Sequence, residues 1–420
     1  MIKMINNQLT IYTPGHSFYT DTLIAYGLIY PLLGSIEDLE ERLEVYGTGL
    51  NYMITIKNVD LKHLAELMAS GIKNRLDRLR RELMYVSRSE AKTYADGRVG
   101  LFNEKDVSSF IKALEDVDGL KRFLESLQFP THALEEGKTT AGKIAKSKLK
   151  LPLMPTAGKY LHEDLTITNK FSDNKYYRVC DYCAAFTAVG LCCGALIAKW
   201  DKWALILTLG FEGSVGGGTI QYMVNLIENE AIVLGRLLRD SRALEGIQES
   251  LLSLELSRSL DVIPLRTLVQ AILCLFTDSA IKGLSESNAS WKALSVKFDA
   301  SRVKSGNLQI RGYEEIILDS VINALAYLLQ ESITENKIII EDLREKIRKL
   351  LRASRSRGPE SGDAIIALES LFTFFQTRRL SDLYSFVRSF EVSMRRSSSK
   401  YAVGLSSTLC RTLASLSVML

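Results

Sequence analysis

The sequence predicts an α+β protein: a mixed α/β region over residues 1–220, then a mainly α-helical region over 221–420 that ends in a helical bundle from about 306. Three observations carry this. In the first 220 residues, short alternating segments bounded by turn residues are interleaved with segments of helical spacing. Between Arg178 and Glu228 an apolar run, a β-branched alternating segment and a glycine cluster follow one another, which reads as helix, strand, glycine loop, helix. Beyond Thr219 apolar residues recur at helical spacing, and Pro359 is the only proline after Pro264.

At 420 residues, with 46% hydrophobic and 24% charged residues, the chain is long enough for two or three domains and has the composition of a folded protein. The formal charge of +4 is only mildly basic, so a polyanionic partner must be argued from where the charge lies. Six cysteines, two of them adjacent, behind an N-terminus without a cleavable signal pattern fit a reduced, cytoplasmic protein.

In chain order, Leu9–Tyr12 reads as a strand, Thr13, Pro14 and Gly15 as a turn, and Ser17–Leu33 as a helix that Gly34 ends. Asn51–Lys57 reads as a second strand and Leu61–Val86 as a helix. The second half of that helix carries Lys73, Arg75, Arg78, Arg80, Arg81 and Arg88. This basic face suits nucleic-acid backbone contact, with Arg78 and Arg81 as candidates, or else is a solvated face paired with Asp77 and Glu82. Helical spacing resumes over Val107–Leu127 and stops at Pro130.

No acid occurs between Glu136 and Glu163, while Lys138, Lys143, Lys146, Lys148, Lys150 and Lys159 do. With two prolines and several small polar residues, the stretch near 137–162 has the composition of a loop. A phosphate backbone is its natural partner, through contacts that release counterions and read no sequence. A solvated interdomain linker is the alternative.

Tyr182–Ala198 runs seventeen residues without a charge, interrupted by two glycines. That is short for a bilayer span and reads as a buried core helix with Asp181 as its cap. Ala204–Leu209 follows as a strand. Gly216, Gly217 and Gly218 close a glycine loop, begun at Gly210, that feeds a helix, where backbone amides can approach a phosphate. Further helices are expected after Thr219 to about Leu254 and at Pro264–Leu284, Tyr313–Glu331, Ile338–Leu351, Asp363–Gln376 and Ser381–Met394. Between Lys337 and Lys400 stand fourteen Lys and Arg against eight Asp and Glu, a net +6 that exceeds the charge of the whole chain.

Catalytic constellations are missing from this pattern. The four histidines are isolated, with no HExxH, and no GxxxxGK[ST] occurs, which argues against a metal-dependent hydrolase or a P-loop ATPase. Cys180 and Cys183 have the gap of half a zinc site, but the adjacent Cys192 and Cys193 match a second knuckle poorly. Their apolar setting favours small buried side chains over metal ligands. No catalytic residue, metal or cofactor is therefore expected. Trp200 and Trp203, flanked by Lys199 and Lys202, suit packing of helix against strand better than base stacking.

The opening LTIYTPGHSFYTDTLIAYGLIYPL, the segment GLNYMITIKNVDLKHLAELM and the internal VCDYCAAFTAVGLCCGALIA together resemble the large subunit of archaeal type I-A CRISPR effector (Cascade) complexes. The resemblance covers roughly the first half of the chain, and the second half agrees only in being a helical bundle. It implies a non-catalytic component that grips guide RNA and inspects the flanking motif of target DNA. It further implies a bundle that contacts the displaced strand or neighbouring Cascade subunits, while a separate helicase-nuclease cuts. The alternatives are another intracellular scaffold or interaction protein with basic surfaces, a membrane-associated protein exposing 182–198 to lipid, and an enzyme with an unrecognised site.

Overall fold

The computed structural model describes residues 8–33, 35–36, 38–74, 102, 104–129, 132, 147–150, 171–172, 176–200, 203–220, 224, 263–299, 310–334, 339–354, 358–396 and 405–418. The chain divides into two units, one of residues 1–239 with 287–315 and one of 240–286 with 316–420.

The first unit is organised on a seven-stranded sheet. Its order is Gln8–Tyr12, Tyr52–Lys57, Leu43–Gly47, Trp203–Gly216, Asn288–Asp299 and Ile310–Ile317, with Ala195–Trp200 also paired to Trp203–Gly216. The 203–216 strand spans the sheet's middle. One edge of it pairs antiparallel with 195–200 at its start and with 43–47 at its end, while 288–299 lines the other edge. The two strands beyond residue 287 enter the sheet from a half of the sequence whose periodicity reads as helix.

Two helices, Phe18–Ile29 and Asp181–Cys193, form the apolar heart of this unit. The first is buried along its whole length and the second from Cys183 onward, as expected of helices without a polar stripe. They approach closely where glycines remove side chains: a Cβ at Gly27 would collide with the Phe186 carbonyl, and one at Gly190 with the Leu23 carbonyl. The Tyr26 hydroxyl donates to the Leu209 carbonyl at 2.9 Å, and the Tyr52 hydroxyl accepts from the Phe211 amide at 3.2 Å while meeting Thr22 Oγ1 at 2.8 Å. Side chains thus tie the first helix to the sheet.

Several elements differ from those the sequence predicts. The uncharged run is not one helix: it breaks at Gly194, and Ala195–Trp200 turns into a strand that hairpins onto 203–216. Pairing with a neighbouring strand outweighs the local apolar pattern there. The cap of the helix is Cys180, whose sulfur accepts from the Cys183 amide at 3.3 Å, and Asp181 lies in the first turn. The helix expected over 107–127 is two, Glu104–Glu115 and Val117–Ser126, because the Asp116 carboxylate caps the second by accepting from the Gly119 amide at 3.1 Å.

The second unit is helical. Its described helices are Leu265–Cys274, Asp278–Ser285, Asp319–Thr334, Ile339–Ala353, Glu360–Thr377, Leu380–Arg396 and Ser407–Ser415. The 360–377 and 380–396 helices are antiparallel: Ser393 Oγ donates to the Glu360 carbonyl at 3.0 Å, and Arg396 reaches Asp363 at 2.6 Å. Phe374, Phe375, Phe386 and Phe390 on these helices, and Leu343, Ile347 and Leu350 on the 339–353 helix, are all buried. The helix expected over 264–284 is two helices, and the one expected from Tyr313 starts only at Asp319, after the strand. Most of the helix expected after Thr219 to about Leu254 lies outside the described residues. Among the described residues no single helix is long and apolar enough to cross a membrane.

Candidate functional site

The strand Tyr176–Val179 delivers the chain into the buried 181–193 helix through Cys180, whose extended backbone (φ −68°, ψ 164°) is that of a helix cap. With cysteine at the cap and three residues on, both sulfurs gather at one helix end. His132 arrives there from 48 residues upstream, its Nε2 lying 3.6 Å from Cys180 Sγ. The donor atoms of His132, Cys180 and Cys183 all lie within 4.8 Å of one another. Cys183 is buried, while His132 and Cys180 are partly open to solvent.

The surroundings hold the imidazole in place. Ser126 Oγ donates to the Phe123 carbonyl at 2.6 Å and meets His132 Nδ1 at 2.9 Å. Phe123 presents its ring at right angles to His132, centroids 5.4 Å apart, and stacks on Tyr182 at 5.0 Å and on Phe186 at 5.7 Å. Burial, then the nearby Asp116 carboxylate, pushes the Tyr182 phenol up to about 12, so it stays a neutral donor at any physiological pH.

Beside this cluster runs a three-stranded antiparallel sheet of Ser147–Lys150, Tyr176–Val179 and Phe171–Ser172. Lys148 stands opposite Arg178 and Lys150 opposite Tyr176, and Ser147 pairs with Val179, next to Cys180 in the chain. The loop expected near 137–162 is therefore a strand at 147–150. Lys148 and Lys150 occupy alternate positions of that strand.

A family model described as CRISPR-associated protein (Cas_Csa4) matches residues 9–412. The chain belongs to this family. The family spans nearly the whole chain, well beyond the first half to which the resemblance in the sequence was confined. No curated protein matches the chain.

For this CRISPR-associated protein, the remaining candidate residues fall as follows. Arg78, Arg81, Lys138, Lys143 and Lys146 lie outside the described residues. Gly216 is the last residue of the 203–216 strand, and Gly217 and Gly218 begin a helical turn, so the expected glycine loop is strand up to its final residues. An added Cβ at Gly216 would meet nothing within 4 Å, and none of the three has a positive φ; the sheet's tolerance for left-handed backbone is spent instead at Gly213, φ 104°. The expected need for glycine at 216 is thus not imposed by the chain itself.

The basic C-terminal stretch is partly inward. Arg344 and Lys346 are buried. Arg344 donates to the carbonyls of Cys274 (3.3 Å) and Phe276 (2.5 Å) and pairs with Asp278 at 2.8 Å and with Glu341, while Lys346 pairs with Asp342 at 3.1 Å. These charges satisfy the end of the 265–274 helix and the helix surface. Arg379, Arg388, Arg395 and Arg396 remain exposed. Sequence reasoning missed the His132 partnership because nothing in a 48-residue separation signals it.

Proposed function

We propose that this chain is the non-catalytic, nucleic-acid-binding large subunit of a Cascade-type CRISPR RNA-guided surveillance complex, working inside the cell. Family membership over residues 9–412 is the observation that carries the reading. In such complexes base pairing with the guide reads the target, and protein reads the short flanking motif and the backbones. The paired strands at 147–150 and 176–179 support this role. The strand register sets Lys148 opposite Arg178, and two basic positions paired on neighbouring strands suit a phosphate backbone. The partners on this reading are guide RNA, target DNA, the other Cascade subunits and a separate helicase-nuclease that does the cutting.

The test is to express the chain with the CRISPR proteins and repeat array of its own source and to purify it through a tag on this chain alone. The proposal predicts that small guide RNA and backbone-forming subunits co-elute in fixed ratio. Recovery of the folded chain free of RNA and of those subunits would refute it.

A further inference from the structure

We propose that His132, Cys180 and Cys183 bind a zinc ion that fastens the segment after the 117–126 helix to the start of the 181–193 helix. The donor set is that of zinc: two thiolates and an imidazole are soft to borderline ligands that zinc accepts in tetrahedral sites. The geometry is already close. Zinc bonds of about 2.3 Å to sulfur and 2.0 Å to nitrogen at the tetrahedral angle place N and S donors about 3.5 Å apart, and His132 Nε2 lies 3.6 Å from Cys180 Sγ. The third donor, Cys183 Sγ, lies within 4.8 Å of both.

The hydrogen bonds at the imidazole suit the tautomer that a metal needs. Ser126 Oγ donates to the Phe123 carbonyl and lies 2.9 Å from His132 Nδ1, an arrangement that suits the tautomer with its proton on Nδ1. That leaves the Nε2 lone pair facing the sulfurs. A hydrogen-bond acceptor on the far nitrogen is the usual company of a metal-bound histidine. Cys192 and Cys193 take no part: they lie at the other end of the helix, where Cys193 Sγ contacts the Tyr26 carbonyl at 3.7 Å. Solvent reaches the cluster on the side of His132 and Cys180 and supplies the fourth ligand as water. On binding, each thiol releases its proton to solvent, so affinity rises with pH.

The site's position gives it a purpose. In the sequence, Lys138, Lys143, Lys146, Lys148 and Lys150 stand between His132 and Cys180. A metal held by both residues joins the two ends of that stretch. The zinc proposal stands on the cluster's geometry and does not rest on the nucleic-acid reading.

The experiment uses the full-length chain, purified under reducing conditions without nickel resin. Elemental analysis should find a single zinc per chain, retained by Cys192→Ser and lost from His132→Ala and from Cys180→Ser. Cobalt exchanged into the wild-type chain should give intense tetrahedral d–d bands and a thiolate charge-transfer band, and His132→Cys should strengthen the latter, an outcome readable even if the removal variants do not fold. A folded wild-type chain that takes up neither Zn2+ nor Co2+, metal that persists in both His132→Ala and Cys180→Ser, a cobalt spectrum unmoved by His132→Cys, or a Cys180–Cys183 disulfide in the reduced preparation would each overturn the proposal.

Discussion

Gly190 lies so close to the carbonyl oxygen of Leu23 that a single added methyl group would overlap it. The crossing of the 18–29 and 181–193 helices depends on that contact and on its counterpart, Gly27 against the Phe186 carbonyl. In an ordinary helix interior, Gly→Ala gains about 1 kcal/mol through the backbone. Here the obstructing atoms are backbone, which cannot rotate away, so the sign should reverse.

Gly190→Ala should therefore destabilise the protein by about 1–3 kcal/mol, the usual cost of overpacking a filled core. Gly216→Ala, where the new Cβ meets nothing within 4 Å, should stay within about 0.5 kcal/mol of the parent. Denaturant midpoints of the two variants check this, and equal midpoints would contradict it.

Asp21 should give folding a pH dependence opposite to that of most carboxylates. Complete burial raises its pKa from 3.8 to about 6, with His16, the Gly15 amide and Thr13 offsetting part of the penalty. The folded state thus holds this proton more tightly than the unfolded chain. The resulting stability is fully present below pH 3.8 and is lost as pH rises through about 6. The shift is worth on the order of 3 kcal/mol. Urea midpoints across this window should fall with pH for the parent and less steeply for Asp21→Asn; parallel profiles would count against the assignment.

Arg344 should prove structural rather than nucleic-acid-binding. Its guanidinium satisfies the carbonyls of Cys274 and Phe276 while being almost entirely enclosed. Arg344→Leu would leave those acceptors unpaired at roughly 1–3 kcal/mol each. The expected result is a lowered unfolding midpoint with nucleic-acid affinity unchanged in protein that remains folded.

Much of the second unit was legible because its helices are long and their apolar stripes regular: Ile339–Ala353, Glu360–Thr377 and Leu380–Arg396 start and end within three residues of the expected spans. The strand Asn288–Asp299 was not. Trp291, Ala293, Leu294, Val296 and Phe298 are all buried, so both of its faces are covered and no clean alternation survives. The apolar run 182–198 hid a helix and half a hairpin for a similar reason: only Gly194 marks the change, and strand pairing with 203–208 decides it. At the candidate site, the cysteine spacing was visible but its third member was not, because His132 becomes a neighbour only through the packing of Phe123 against Tyr182 and Phe186.

Lys148→Ala with Lys150→Ala should weaken target binding for all sequences alike and lower the slope of log affinity against log salt by about one unit per lost phosphate contact. Titrations of labelled duplex at several salt concentrations read both quantities. An unaltered slope would mean that these lysines touch no phosphate.

The central claim, a binding subunit that does not cut, is tested most directly by assembling the guide-loaded complex with and without this chain and presenting labelled target duplex carrying the flanking motif, in Mg2+ and with no nuclease added. The account predicts tight binding only when the chain is present, and no cleavage. Equal binding without the chain, or strand scission that tracks with the purified chain, would contradict it.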